Sequence, residues 1–183
     1  MALLKVAHLG HPVLRKAAEP LNRKELRSTE CQRFIDDLVE TMREYDGVGL
    51  AAPQVHESVR VVVYEVAANP RYPEAPSVPL TVLVNPVVTP LSDTVEEGWE
   101  GCLSLPDLRG RVPRHTEIQV EALDRRGKPL RYIAKEFHAR VVQHECDHLD
   151  GVVFVDRMRD LSTLAFLPEF LRYAGVDGDV DVD

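Results

Sequence analysis

The chain predicts an α+β fold, with antiparallel or mixed β-sheets packed around a helix that carries an H-E-x-x-H motif, one helix toward the N-terminus and a short one toward the C-terminus. The first observation behind this is segregation. β-branched and alternating runs crowd the middle of the chain, while segments of helical spacing stand at its two ends, a pattern of α+β folds and not of doubly wound ones. The second is size: 183 residues suit one hydrophobic core that buries roughly 70% of the unfolded surface. Residues 1–175 are therefore expected to form a single domain. In residues 176–183, Asp177, Asp179, Asp181 and Asp183 alternate with Gly and Val, which reads as a solvated, disordered acidic tail.

Residues 29–45 are the clearest helix. Thr29 is placed to cap it, with Gln32 three positions on as its partner in a capping box. Phe34, Ile35, Leu38, Val39, Met42 and Tyr45 recur at helical spacing, and Asp46-Gly47 ends the run. Directly after it comes GVGLAAPQ (47–54), whose glycines and alanines leave a stretch where a ligand can lie against the backbone, with the amide of Gln54 at its end. The plainer alternative for the same stretch is a tight helix-to-strand connection. Strands are expected at 59–66 (VRVVVYEV) and, beyond a Pro-rich loop at 69–79, at 80–85. Thr116–Asp124 alternates, with Ile118, Val120 and Ala122 on one face, and Arg125-Arg126-Gly127 turns it toward a partner at 129–134.

The next helix, 135–149, carries the densest chemistry. His144-Glu145-Cys146-Asp147-His148 sets two imidazoles four residues apart, on one helical face and roughly 5–6 Å from each other at Cβ. Two such rings can converge on one metal ion at about 2.0–2.1 Å each. Glu145 stands about 100° around the helix from His144, so it flanks the ion and can reach water. Phe137, Val141 and Val142 upstream and Leu149 downstream are apolar, and Asp150-Gly151 is a helix stop. Cys146 points away from both imidazoles, and Cys31 sits in the first turn of the first helix; both read as core. The segment 161–173 is apolar, short and interrupted by Pro168.

A second chemical segment is Glu100-Gly101-Cys102-Leu103-Ser104-Leu105-Pro106, in which Cys102 follows the single tryptophan, Trp99, by three positions. A buried structural cysteine is the plainer alternative there. The formal net charge of −8 argues against a general nucleic-acid or membrane-surface binder. No apolar run reaches the ~18–20 residues of a membrane span. The opening MALLKVAHLGHPVLRK lacks the pattern of a secretory signal, and three cysteines without framework spacing fit a reducing compartment. The expected location is the cytoplasm.

Taken together, GVGLAAPQ (47–54), EGCLS (100–104) and HECDHL (144–149), in this order, resemble the three motifs of the peptide deformylase family; His11-Pro12 with Leu14 is similar to that family's opening pattern. The resemblance spans about residues 5–160. It implies that Cys102, His144 and His148 bind one divalent metal ion, with a fourth position open for water as in catalytic sites. The resemblance points to Fe(II), with Zn(II), Ni(II) or Co(II) as alternatives. It assigns Glu145 as general base and then general acid, and the side-chain amide of Gln54 with the backbone N–H of Leu103 as donors to the oxyanion. Gly49 would bind the peptide through its main chain.

The implied reaction removes the N-formyl group from the formyl-methionine of new polypeptides and releases formate. A methionine pocket is expected at Val141, with Phe137 and Trp99 as further wall residues. Glu100 is expected as a buried structural carboxylate with Arg109 as its partner. An H-E-x-x-H zinc endopeptidase would need a downstream histidine or glutamate as third ligand, and after His148 the chain has no histidine and only Glu169. A metal-stabilised binding module would have no use for Glu145 and Gln54. Family members often end in a long basic helix, whereas 161–173 here has only Arg172 as a basic residue. Docking on the ribosome through that end is not expected, beyond a transient contact, nor is direct binding of nucleic acid or membrane.

Overall fold

Residues 2–66 and 77–174 are described by a computed structural model. Most of the Pro-rich loop expected at 69–79 and the whole acidic tail expected at 176–183 lie outside the described residues. In chain order the elements are a 3-10 turn at Pro12–Arg15, α1 (Arg23–Leu26), α2 (Thr29–Glu44), β1 (Gly49–Ala51), a 3-10 turn at Ala52–Val55, β2 (Val61–Val66) and β3 (Val78–Pro90). Then follow β4 (Val95–Glu100), β5 (Leu108–His115), β6 (Glu117–Leu123), β7 (Pro129–Lys135) and α3 (Glu136–Leu149). α4 (Phe154–Arg157), β8 (Ala165–Phe166) and α5 (Leu167–Glu169) complete the described chain, with a last helical stretch at Phe170–Ala174. The fold is α+β, with antiparallel sheets.

Ser28, and not Thr29, caps α2: its side chain accepts from the Cys31 N–H. Thr29 already lies inside the helix, and Gln32 spends its amide on the carbonyls of Leu26 and Arg125 instead of a capping box. The helix buries Ile35, Leu38, Val39 and Met42 against Leu50, Val61, Val63, Val82 and Val84. These strand residues line one face of a five-stranded sheet of order β1-β2-β3-β6-β7. The opposite face presents Val62, Tyr64, Val66, Leu83, Ile118 and Val120 to a second cluster that contains Ala139, Val141, Val142, Cys146 and Leu149 of α3. β2 is thus covered on both sides, which is why it reads as an unbroken apolar run instead of an alternation.

β3 continues well past the expected end at residue 85. Asn85 takes a left-handed conformation (φ 52°), its side chain bonds both the N–H and the carbonyl of Leu21, and the pairing with β6 shifts register between Val84 and Val87. Asn85-Pro86 therefore marks a bulge and not a strand end. The β6–β7 hairpin forms as expected, its turn held by Asp124 and by Gly127 at φ 79°. A second, three-stranded sheet of order β4-β5-β8 was not anticipated from the sequence. Its strands are interrupted by Gly98, Gly110 and Pro113 and carry Glu and Arg where alternating apolar residues would be diagnostic. Pro168 does not interrupt the C-terminal helical stretch; it stands in the first turn of α5, where its missing N–H costs nothing.

α3 follows β7 without a loop and packs on β1, β2, β3, β5, β6 and β7. Its end is followed by Gly151, which adopts φ 72° and where an added Cβ would stand 2.8 Å from the Arg15 backbone, a position no side chain would fit. The connection from β4 to β5 carries Cys102 to α3, so the motif residues of the two sheets meet on that helix.

Candidate metal centre

His144 and His148 face the same side of α3, with ring centroids 5.2 Å apart. Cys102, arriving from the end of β4, places its sulfur 3.3 Å from Nε2 of His148. The ligand atoms of Cys102, His144 and His148 all lie within 4.8 Å of one another, and all three residues are buried. One thiol and two imidazoles are a donor set that suits Zn(II) and the neighbouring first-row metals. Cys146 is not part of this group; it is buried in the cluster under the sheet, where burial pushes its thiol well up.

The imidazole of His144 is oriented from behind. Its Nδ1 lies 2.9 Å from Oε2 of Glu100, which leaves Nε2 as the nitrogen free to ligate. Glu100 is fully buried and is held by Arg114 and Arg140, not by Arg109 as the sequence suggested. Arg114 lies across the β4–β5 sheet and forks both oxygens of Glu100 at 2.8 and 2.9 Å; it also bonds Asp147, which Arg157 bonds in turn. Burial would raise the Glu100 carboxyl, but Arg114 and His144 outweigh it and hold it well below the usual carboxylate range. Burial would likewise lower His144, yet its contacts with Cys102 and Glu100 push it up, whereas burial and the nearby His144 and Arg114 charges push His148 well below the usual imidazole range.

Gln54 stands over the sulfur. Its Oε1 accepts from the Ala51 N–H at 2.8 Å, which turns Nε2 toward Cys102 Sγ at 3.5 Å and Ser104 Oγ at 3.2 Å. The N-terminal segment straps this pair down, Ala7 N–H donating to the Gln54 carbonyl and Leu9 N–H to that of Ser104. Glu145 is buried next to His144, and one of its oxygens, Oε2, has no protein partner among the described residues. Burial, the largest influence, pushes its carboxyl up to about 7 against the opposing charge of His144. The backbone at Gly49 lies directly against it, since a Cβ there would sit 2.3 Å from Oε1.

The remaining predicted residues divide. Leu103 is half-buried and lies against Gly47, beside the ligand loop. Val141 is fully buried in the cluster on which Phe137 packs. Trp99 is not brought to that cluster; its ring meets Phe170 edge-on at 4.8 Å. Sequence reasoning missed Ser104, Arg114, Arg140 and Asp147. Ser104 and Asp147 sit inside the motifs and offered a signal; Arg114 becomes legible only once 108–115 is read as a strand that alternates Val112 with Arg114 inward, and Arg140 only once α3 is set against β4.

A sequence profile described as polypeptide deformylase matches residues 3–163. Peptide deformylase 1 of Bordetella pertussis is 48% identical over 165 residues, covering 90% of this chain and 91% of that protein. Peptide deformylase 2 of Pseudomonas putida is 47% identical over 161 residues, 88% and 90% of the two chains. Among solved structures, the Met-Ala-Ser-bound class I type b peptide deformylase of Acinetobacter baumannii superposes with a TM-score of 0.83 at 42% identity, covering 86% of this chain and 99% of that one. The peptide deformylase of Thermotoga maritima superposes with a TM-score of 0.77 at 34% identity, over 87% and 100%. Profile, relatives and fold agree over nearly the whole described length, and this chain belongs to the peptide deformylase family.

Proposed function

We propose that Cys102, His144 and His148 hold one divalent metal ion, that Glu145 carries the protons of a hydrolysis beside it, and that α3 is the element on which the site is organised. The reaction is the family's: removal of the N-formyl group from the N-terminal formyl-methionine of newly made polypeptides, with release of formate. The observation that carries the reading is the convergence of the three ligand atoms within 4.8 Å, with a buried Glu145 beside them whose Oε2 has no protein partner among the described residues. The residues fit a cation, because two imidazole nitrogens and a sulfur converge within 4.8 Å and the Glu100 carboxylate behind His144 leaves Nε2 of that ring for the ion. Bound there, the ion supplies Lewis acidity, under which water ionises near neutral pH. We assign Fe(II) from the family resemblance.

Glu145 takes the proton of the attacking water and delivers it to the leaving amine nitrogen, a role suited to a carboxyl that burial has raised toward neutrality. Gln54 Nε2 and the Leu103 N–H donate to the oxyanion as the formyl carbon becomes tetrahedral. Gln54 is pre-oriented for this by Ala51 and Ser104, so little reorganisation accompanies the step. Gly49 in the edge strand β1 offers its main chain to the peptide. Val141 and Phe137 form the wall met by the methionine side chain, and Trp99 contributes at most through its neighbours. Residues 1–175 act as one catalytic domain in the cytoplasm; no described helix is long and apolar enough to cross a membrane. Contact with the ribosome is transient, since Arg172 is the single basic residue of 161–173.

The test is formate release from formyl-Met-Ala-Ser by the metal-loaded enzyme, with Glu145→Gln beside the wild type. The variant should keep its metal and lose on the order of 10²-fold or more in kcat, the weight of a general acid–base group. A variant that loses its metal while its loaded fraction turns over normally would show Glu145 to be a ligand and not the base.

A further inference from the structure

We propose that Arg140 is a positioning residue of the metal centre: seated on Gly98, its guanidinium clamps the strand that delivers Cys102 to the helix that delivers the two histidines. The proposal rests on reading Cys102, His144 and His148 as metal ligands. Arg140 stands one turn before His144 on α3 and is 9% exposed. A guanidinium so buried is tolerated only when its charge is paired and its donors are used. Nη1 lies 2.7 Å from the Val112 carbonyl, 3.0 Å from Glu100 Oε1 and 3.4 Å from the Gly98 carbonyl, while Nη2 donates to the Glu96 carbonyl at 2.8 Å. Glu96, Gly98 and Glu100 are alternate residues of β4, so one side chain grips the strand at each of them, up to two residues before Cys102. Val112 is the register partner of Gly98 in β5, so the same group also ties the second strand.

Gly98 is the socket. A Cβ at that position would stand 2.9 Å from both Cζ and Nη2 of Arg140, closer than real contacts allow. The charge of Glu100 does not by itself require Arg140, because Arg114 already forks both carboxylate oxygens. What Arg140 adds is a fixed distance. It ties α3 to the backbone of β4, and hence the imidazole nitrogens to the thiolate, before any ion enters. Preorganisation of this kind appears in the retention and ligand field of the metal, because outer residues that orient ligands govern affinity nearly as the ligands do. Substrate affinity should not report it, since neither Arg140 nor Gly98 belongs to the proposed peptide cleft.

The experiment uses the full chain loaded with Co(II), comparing wild type, Arg140→Met, Arg140→Lys and Gly98→Ala at a temperature where all are folded by circular dichroism. Release of Co(II) to a chelator, the thiolate-to-cobalt and ligand-field absorption bands, and kcat and KM for formyl-Met-Ala-Ser are measured. Arg140→Met should release metal on the order of tenfold faster or more, shift the bands and lower kcat with KM little changed. Arg140→Lys, which restores a charge at Glu100 without the grip on the carbonyls, should recover part of the retention. Gly98→Ala, which unseats the guanidinium while keeping every charge, should move release and spectrum in the same direction as Arg140→Met. If Arg140→Met does not fold, Gly98→Ala carries the test. Wild-type spectra and release rates in both variants, with only the melting temperature lowered, would overturn the proposal and leave Arg140 a core residue. A wild type that takes up no Co(II) would instead remove the ligand assignment beneath it.

Discussion

Gly49 and Glu145 share a volume that holds only one side chain. A Cβ on Gly49 would meet Oε1, Cδ and Cγ of Glu145 at 2.3, 2.6 and 2.7 Å, so the position of the proposed base depends on the absence of a methyl group on the neighbouring strand. Because Glu145 can swing away at its flexible end, Gly49→Ala should leave the fold and the metal content close to wild type. The displaced carboxylate should nonetheless cost on the order of 10²-fold in kcat, the penalty of a misplacement near 1 Å. Metal analysis, melting temperature and kcat on the same preparation check this; unchanged turnover would mean that Glu145 has room to work elsewhere. The residues of this site differ in how far the sequence exposes them. His144, Glu145 and His148 fall within five positions of one helix, and their spacing alone announces shared chemistry. The Glu100 partner is not local: Arg114, 14 residues on, faces Glu100 only through strand pairing, and a sequence reading has no means to prefer it over Arg109.

At the scale of elements, α2, β6, β7 and α3 follow their hydrophobic period closely, because each buries one face against a continuous core. β4 and β5 do not, because the face they turn toward α3 carries Glu100, Val112 and Arg114 while Trp99 is buried on the other, a mixture dictated by the site and not by packing. The N-terminal turn of α3 shows how an element is fastened to the sheet. His138 is half-buried there, its ring stacked on Tyr132 at 5.5 Å and its Nε2 3.2 Å from the Tyr64 hydroxyl, which in turn bonds Tyr132. Desolvation lowers the His138 pKa in the folded protein. The stability it permits is therefore complete above its unfolded pKa of about 6.5 and is lost as pH falls toward the lowered folded value, because the unfolded chain takes the proton first. His138→Gln keeps a hydrogen-bonding partner for Tyr64 and removes the titration. The melting temperature of the variant should fall less than that of the wild type between about pH 7.5 and pH 5; parallel curves would show that His138 is not a source of acid sensitivity.

Across the whole molecule, the proposed metal centre would be a joint between two bodies of structure. Cys102 belongs to the connection within the three-stranded sheet, whereas His144 and His148 ride on the helix that covers the five-stranded sheet, and 46 residues of chain separate Cys102 from His148. An ion held by all three ligands is bound by the folded state and only weakly by the unfolded chain, so it adds stability as RT ln(1 + [L]/Kd). At a free metal concentration a thousand times Kd this amounts to about 4 kcal/mol. For a chain of this length each kcal/mol moves the melting temperature by about 2–4 °C, so stripping the metal should lower it by about 8–16 °C, less whatever affinity the unfolded chain retains. Cys102→Ser should melt near the stripped wild type whether or not metal is present, because it cuts the joint on one side. Glu145→Gln should keep the full increment, because it touches the chemistry and not the joint. Scanning calorimetry of the three proteins with metal and with chelator separates these outcomes. A Glu145→Gln protein that loses the increment would make Glu145 a ligand, and a wild type indifferent to chelator would mean that the two bodies are held together by packing and by the ties of Arg114 and Arg140 without an ion.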